Sequence, residues 1–325
     1  MQNNYIDFKK ERDLGAIISD TFGFIREEYK TIFRLYLKHV GWLLLLLVAA
    51  STYYQYQSLK FTGNLSIGND PGAFFLEMIS SAGVGLLLVI LSSIAYSALS
   101  ITTINSIIKS YVKNEGEVKD DEVSQYIGKF FSTTLGSFVV YGLMIFLGII
   151  IAFLVIISIF LLTNNINMAL SVIFTIRICL LIIVLIVVYF ISPLSLMFCI
   201  IVFQEKSFSD AFSECFKLIK ENWWITFATL LIITILMWLI SSLFQIPIVI
   251  MSFMETLTSL QEGSETPGTA NLATNWLFMI FYVLATLAQY ILGLVTLISV
   301  ALIYFNLNEF HNKTGTLEDI DRIGS

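Results

Sequence analysis

Six apolar segments, each long enough to cross a lipid bilayer, dominate this sequence. A transmembrane helix needs about 20 consecutive apolar residues, and the 325-residue chain, 57% of it hydrophobic, provides that length six times. The segments are residues 38–56, 80–106, 134–162, 172–202, 225–252 and 275–305. Only 13% of the residues are charged, whereas about 25% is typical of soluble proteins. The sequence therefore predicts an all-α integral membrane protein with six transmembrane helices.

Basic residues lie almost entirely on alternate connections between these segments. Sixteen of the 18 Lys and Arg residues lie within residues 1–38, 107–133, 203–224 and 307–325. The other two are Lys60, in the first of the opposite loops, and Arg177, inside the fourth apolar segment. Because basic loops stay on the cytoplasmic side, this distribution predicts that both termini and the two longer charged loops are cytoplasmic.

An internal repeat relates the segments that precede the first and fifth spans. A shift of 194 residues produces five identities: Ser19 with Ser213, Phe22 with Phe216, Ile25 with Ile219, Glu27 with Glu221, and Phe33 with Phe227. Under a shift of 105 residues, Ser124 and Phe138 indicate a fainter copy before the third span. We predict three parallel repeats of an amphipathic helix and a transmembrane hairpin. Their approximate boundaries are 12–110, 119–204 and 206–306, and residues 307–325 form a cytoplasmic tail.

The two clear copies have the apolar periodicity of amphipathic helices. In the first copy the apolar stripe comprises Leu14, Ile17, Ile18, Thr21, Phe22, Ile25, Tyr29, Ile32 and Phe33. Such helices are predicted to lie at the inner headgroup layer before the chain turns into the bilayer. Tyr29, Trp223 and Trp224 then serve as interfacial anchors. The sequence leaves open whether the stripe contacts lipid or packs on the protein's own helices.

Two stretches resemble a known membrane family. They are DLGAIISDTFGFIREEYKTIFRLYL and SPLSLMFCIIVFQEKSFSDAFSECFKLIKENWWITFATLLI. They are similar to the membrane domain of glycerophosphoryl diester phosphodiesterase and its stand-alone six-span relatives. In that family a kinked span ends in a carboxylate, here Glu205. An Ala-rich amphipathic helix follows, with a central serine, here Ser213, and a terminal Asn-Trp pair, here Asn222 and Trp223. In this chain Pro193 is the residue at which we expect the fourth segment to kink.

This chain departs from the family pattern in its amphipathic helix, which contains a single alanine, Ala211. The resemblance implies a bacterial plasma-membrane protein of largely unassigned activity. The soluble phosphodiesterase domain would need a long hydrophilic region, and the sequence contains none. The resemblance therefore implies no catalytic activity for this chain.

The inventory of reactive side chains predicts no catalytic site, no metal site and no cofactor. Only two histidines are present, His39 and His311, whereas a zinc or di-iron site needs several His and carboxylate ligands. No phosphate-binding loop, dinucleotide fingerprint or serine nucleophile motif occurs. The formal net charge of −6 also predicts no nucleic-acid partner, because phosphate binding needs basic clusters.

Arg177 is the one charge well inside an apolar segment. A charged side chain is costly at the bilayer centre. Arg177 either lies at the outer interface, where its stem lets the guanidinium reach the headgroups, or is buried and contacts an anionic lipid or substrate group. The second span is rich in Ser, Ala and Gly, which predicts either a central, closely packed helix or a water-filled pathway lined by its serines.

Three function classes are compatible with these features. The first is a non-enzymatic scaffold or accessory subunit that binds membrane lipids, other membrane proteins or a second copy of itself. The second is a transporter or lipid-handling protein that uses a groove between the repeats. An intramembrane enzyme is the third, and the scarcity of ionisable groups in the spans disfavours it.

Overall fold

The computed structural model describes residues 5–63, 71–162, 177, 189–190, 192–261, 269–315 and 317. Within these ranges the regular structure is helical. The helices are α1 (Leu14–Gly63), α2 (Pro71–Lys113), α3 (Asp120–Leu162), α4 (Ser192–Phe203), α5 (Phe208–Ile219), α6 (Trp223–Gln261), α7 (Thr269–Thr274) and α8 (Trp276–Asn312). Four of them, α1, α2, α6 and α8, are long and apolar enough to cross a membrane. The all-helical class is therefore confirmed, and the chain has the helices of a membrane protein.

The long helices exceed the thickness of the bilayer. The 50 residues of α1 span about 75 Å at 1.5 Å per residue, whereas the hydrocarbon core is about 30 Å thick. The third predicted segment, 134–162, lies within α3. The fourth, 172–202, falls largely outside the described residues. Six spans thus remain a prediction.

Helix α6 has small hydroxyl residues at four of its six buried positions, and large apolar side chains are exposed on its other face. Its buried residues are Thr226, Thr229, Ile233, Met237, Ser241 and Ser259. Large apolar side chains, including Trp238, Leu243 and Phe253, are exposed. A helix in water has the opposite pattern. Small hydroxyl residues facing other helices and large apolar residues facing outward are typical of a helix surrounded by lipid.

Helix α2 packs on α1, α3 and α8, whereas α8 packs on α1, α2, α5, α6 and α7, so α2 is not the most central of the described helices. Helix α2 approaches α1 closely at Gly85, where an added Cβ would lie 3.1 Å from the Tyr54 Cα. Small residues permit such close backbone approach between membrane helices. The small-residue composition of this segment therefore serves helix packing at Gly85.

The predicted turn between the first amphipathic helix and the first span is wrong. Helix α1 continues from Leu14 to Gly63 without a break, whereas α5 ends at Ile219 and a turn over residues 220–222 precedes α6. Under the shift of 194 residues, Asn222 corresponds to Glu28. Glutamate is a better helix former than asparagine, which favours continuation of the helix in the first copy.

The apolar stripe of α1 divides between two environments. Ile17, Thr21 and Phe24 are buried in the bundle, whereas Phe22 and Tyr29 are exposed. One helix therefore has some stripe residues that pack on the protein's own helices and others that are free to contact lipid. Phe24 was not part of the predicted stripe. Its burial depends on where the neighbouring helices lie, which the apolar periodicity of α1 does not indicate.

Candidate functional site

The described charged groups concentrate at the end of the bundle where residues 5–13 and 306–315 meet, hereafter the charged end. Glu205 lies at this end, two residues after the last residue of α4, with a left-handed backbone (φ 56°) that is uncommon for a residue other than glycine. Lys109 of α2 donates to Glu205 Oε1 at 2.8 Å, and Lys129 of α3 donates to Oε2 at 2.5 Å. One carboxylate thus joins three parts of the chain.

Lys109 is held by further contacts. Its Nζ donates to the Val202 carbonyl at 2.7 Å, which satisfies a backbone acceptor in the last turn of α4. The same Nζ lies 5.0 Å from the Tyr126 ring centroid and 4.9 Å from that of Phe130, within the range of cation–π attraction. These contacts place Lys109 in a preformed position beside Glu205.

The two lysines lower the pKa of Glu205 to about 2. The hydrogen bond from Lys109 has the largest effect, followed by the hydrogen bond from Lys129. The ordinary value is 4.5, so the carboxylate is more easily kept ionised in the folded protein. Its contribution to stability is complete above the ordinary pKa and is lost as the pH falls through about 2.

Glu205→Gln is expected to lower the melting temperature, because the amide keeps the shape but replaces two charge-assisted hydrogen bonds. The side chain is 44% exposed, so the loss of stability is expected to be about 1 kcal/mol and to shrink at high salt.

Glu214→Gln is the matched control: Glu214 also lies between two lysines, Lys206 and Lys217, but at 3.5 and 3.9 Å. Thermal unfolding in detergent should show a larger loss for Glu205→Gln at pH 7, with the difference disappearing towards pH 2. Equal losses would contradict the role assigned to Glu205.

Residues 5–13, hereafter the N-terminal strap, pack against the same end. Phe8 is fully buried and forms edge contacts with Phe24, Tyr111 and Phe305. The Arg12 side chain is also fully buried, and its guanidinium donates to Asp20 at 2.8 Å and to the Phe8 carbonyl at 2.9 Å. The strap is therefore part of the folded core.

The C-terminal residues meet this strap. The backbone N–H of Arg12 donates to Asn306 Oδ1 at 2.6 Å, and an added Cβ on Gly315 would clash with the Lys9 carbonyl oxygen. Glu309, which is buried, accepts from the Thr314 hydroxyl and the Gly315 N–H. Both terminal segments consequently lie at one end of the bundle.

The start of α5 reproduces the start of α1. Asp13 Oδ1 accepts from the Ala16 N–H at 2.7 Å, and Ser207, 194 residues later, accepts from the Asp210 N–H. The Arg12–Asp20 ion pair likewise has a counterpart in Lys206–Glu214 at 3.5 Å. The buried residues Ala211, Cys215 and Leu218 occupy the positions of Ile17, Thr21 and Phe24.

Buried hydroxyl groups line the helix contacts further inside. Tyr36 Oη donates to Tyr96 Oη at 2.7 Å and lies 2.9 Å from Ser100 Oγ. Thr21 and Ser299 form another such pair at 3.2 Å. Four buried hydroxyl oxygens have no hydrogen-bond partner within the described part of the chain; they belong to Thr103, Ser106, Thr134 and Ser192.

Two open grooves lie on the described surface. An apolar groove of about 510 Å³ separates α1 from α8, and its lining is Leu45, Val48, Ala49, Thr52, Tyr53, Tyr56, Met279 and Val283. A polar groove of about 560 Å³ lies at the charged end, between α1 and the α2–α3 connection. Glu28, Arg34 and Glu117 are among its lining residues, and Arg34 is paired with Asp120 at 2.8 Å.

The structure separates the predicted site residues. Arg177 is exposed, but its neighbours in the chain lie outside the described residues. Tyr29 and Trp224 are exposed, whereas Trp223 is half-buried, stacks on Phe227 and donates to the Tyr189 carbonyl at 3.1 Å. Pro193 lies in the described part of α4, and residue 191 before it is not described, so its kink remains a prediction.

Sequence reasoning missed the partners of Glu205 and the burial of Arg12. One available signal was the repeat: extending the 194-residue shift upstream pairs Arg12 with Lys206, eight residues before Asp20 and Glu214. Cys199 and Cys215 are buried free thiols that belong to the apolar core. Among the described side chains, no group of three or more His, Cys, Asp or Glu could hold a metal ion.

Comparison with known proteins identifies one relationship. A protein-family model described as a domain of unknown function (DUF7847) matches residues 36–307. No curated protein and no solved structure matches the chain.

Proposed function

This chain belongs to the DUF7847 family, whose function is unknown. From the geometry of the chain itself, we propose that it is a non-enzymatic membrane scaffold or accessory subunit that binds lipids. The observation that carries this proposal is the distribution of its polar groups. Charges at the charged end are tied to one another, as around Glu205 and Arg12. The apolar groove, by contrast, is open on the side of the molecule that carries exposed apolar residues.

The proposed scaffold has six spans in three parallel repeats. Three correspondences support the repeat: α1 and α5 begin 194 residues apart, both starts have a side-chain cap, and both carry an ion pair to the preceding basic residue. For the middle copy, a shift of 106 residues aligns better than 105. It relates the start of α3 to that of α1 and aligns the buried residues Val123, Ile127 and Phe130 with Ile17, Thr21 and Phe24.

The proposed orientation places the charged end in the cytoplasm of a bacterial cell, with the spans in the plasma membrane. The distribution of Lys and Arg supports this orientation, and the family resemblance of the sequence supports the bacterial membrane. Membrane lipids are the proposed partners, and other membrane proteins or a second copy of the chain are further candidates.

A transporter or lipid-handling protein is the second candidate. The unpartnered buried hydroxyls of Thr103, Ser106 and Thr134 favour it, because buried polar groups are normally hydrogen-bonded and such groups can line a polar pathway. These residues lie on α2 and α3, helices that pack on each other.

The two candidates differ in their effect on lipid movement. The purified chain is reconstituted into phospholipid vesicles that contain a trace of fluorescent phospholipid, and dithionite is added outside. For a scaffold, only the outer-leaflet probe is bleached, as in protein-free vesicles. Complete bleaching that depends on the protein and slows in Ser106→Val would overturn the scaffold proposal and establish lipid handling.

A further inference from the structure

The apolar groove between α1 and α8 has a basic residue at one end. Six of its lining residues belong to α1 and recur at helical spacing from Leu45 to Tyr56. Lys60 follows one turn later, exposed, with its Nζ 4.5 Å from the Tyr56 ring centroid. The lining and the lysine therefore form one continuous strip along the last part of α1.

The dimensions of this strip fit one lipid leaflet. Leu45 and Tyr56 are separated by eleven residues, or about 17 Å of helix. Half of a hydrocarbon core about 30 Å thick is similar in length. Tyr53 and Tyr56 lie near the Lys60 end, and exposed Trp276 begins α8 one turn before Met279. Tyrosine and tryptophan concentrate at the level of the headgroups, which places Lys60 at that level too.

The positive charge of Lys60 favours a lipid with an anionic headgroup at this end of the groove. Lys60 is the one basic residue of its predicted loop. Among the described side chains, which do not include Asp70 and Glu77 of that loop, no carboxylate pairs with it. Glu255, on the neighbouring α6, instead accepts from Asn271 Nδ2 at 2.7 Å. An ammonium group at headgroup level attracts anionic lipid, while the groove itself offers an apolar surface to a hydrocarbon chain.

We infer that the α1–α8 groove binds one anionic phospholipid, with an acyl chain along Leu45 to Tyr56 and the headgroup phosphate at Lys60. The inference deepens the proposed scaffold function by giving the lipid class and its site. Lipid retention is measured separately from lipid movement. A negative result for lipid binding at this groove would therefore leave the scaffold proposal intact, and protein-dependent lipid movement in the vesicle assay would leave the lipid site intact.

The test uses the full chain in mixed micelles with equal amounts of phosphatidylglycerol and phosphatidylcholine that carry identical acyl chains. Native mass spectrometry counts the lipid retained on each chain. Wild type should retain one phosphatidylglycerol in preference to phosphatidylcholine. Lys60→Gln should lose about fivefold of that preference, the effect of one basic group near a lipid surface. Lys60→Arg should keep it.

Ala49→Phe examines the apolar part of the site. Ala49 lines the groove, so a phenyl group there should reduce retention of both lipids. Lys119→Gln is the matched charge control, because Lys119 is exposed in the connection between α2 and α3. Its lipid retention should equal that of wild type, and the melting temperature of every variant verifies folding.

Two results would overturn the inference. The first is an unchanged preference for phosphatidylglycerol in Lys60→Gln; a loss of that preference in Arg177→Gln would then assign the anionic headgroup to Arg177. The second is full lipid retention by folded Ala49→Phe, which would place the lipid outside the groove.

Discussion

Replacing Arg12 with methionine should lower the free energy of unfolding by about 3–5 kcal/mol, the usual cost of removing one partner from a buried ion pair. The Arg12 guanidinium donates to Asp20 Oδ2 at 2.8 Å and to the carbonyls of Phe8, Lys10 and Asp7. Methionine fills a similar space but donates to none of these oxygens. We expect a loss near the lower limit, because Lys10 still pairs with Asp20 at 3.2 Å.

The measurement is a denaturant titration of the full chain in detergent, combined with amide hydrogen exchange. The Ile6 N–H, which donates to Tyr111 Oη at 3.0 Å, should exchange faster when the N-terminal strap detaches. Arg26→Met is the control: Arg26 is 80% exposed in a 3.5 Å pair with Glu27, and such surface pairs contribute little. Similar stability losses for the two variants would show that the strap does not depend on Arg12.

Replacing Gly85 with leucine should cost about 1–3 kcal/mol of stability, the usual range for overpacking a tightly packed core. An added Cβ would already lie 3.1 Å from the Tyr54 Cα. Because the contact is with backbone, α1 and α2 must separate to admit the larger side chain. The spans would then lose contacts along both helices.

Gly83→Leu is the matched control for this contact. Gly83 lies two residues before Gly85 on α2, and its nearest contact is with Ile79 of the same helix at 3.5 Å. Thermal unfolding of both variants should show a loss confined to Gly85→Leu. Equal melting temperatures would contradict the assignment of Gly85 as a point of close contact between α1 and α2.

These two variants also illustrate how far sequence reasoning extends. Gly85 belongs to the small-residue segment that the sequence had marked for close packing, but the composition did not indicate which glycine meets α1. Arg12 was counted only as a cytoplasmic charge. Its burial depends on the strap folding back under α8, a contact between residues almost 300 positions apart that no local pattern encodes.

Local patterns were informative where the physical requirement is itself local. Apolar length indicated the membrane-crossing helices, because each helix must satisfy its own backbone hydrogen bonds in lipid. The helix starts at Leu14 and Phe208 also follow from short-range chemistry, since Asp13 and Ser207 cap them. The 194-residue correspondence between these two helix starts could be recognised in the sequence, because the capping residues and the apolar periodicity are local features.

The tertiary structure decided what depends on the position of neighbouring helices. It paired Glu205 with Lys109 and Lys129, half-buried Trp223 against Tyr189 and Phe227, and divided the α1 stripe between the bundle and the exterior. It also placed Lys60 at the end of a groove that α8 completes. Such contacts join groups far apart in the chain, and their free energies depend on distance and burial, which sequence spacing does not specify. The sequence by itself determined the membrane class and the helix starts, and the packing of helices determined which charges are paired and which grooves are open.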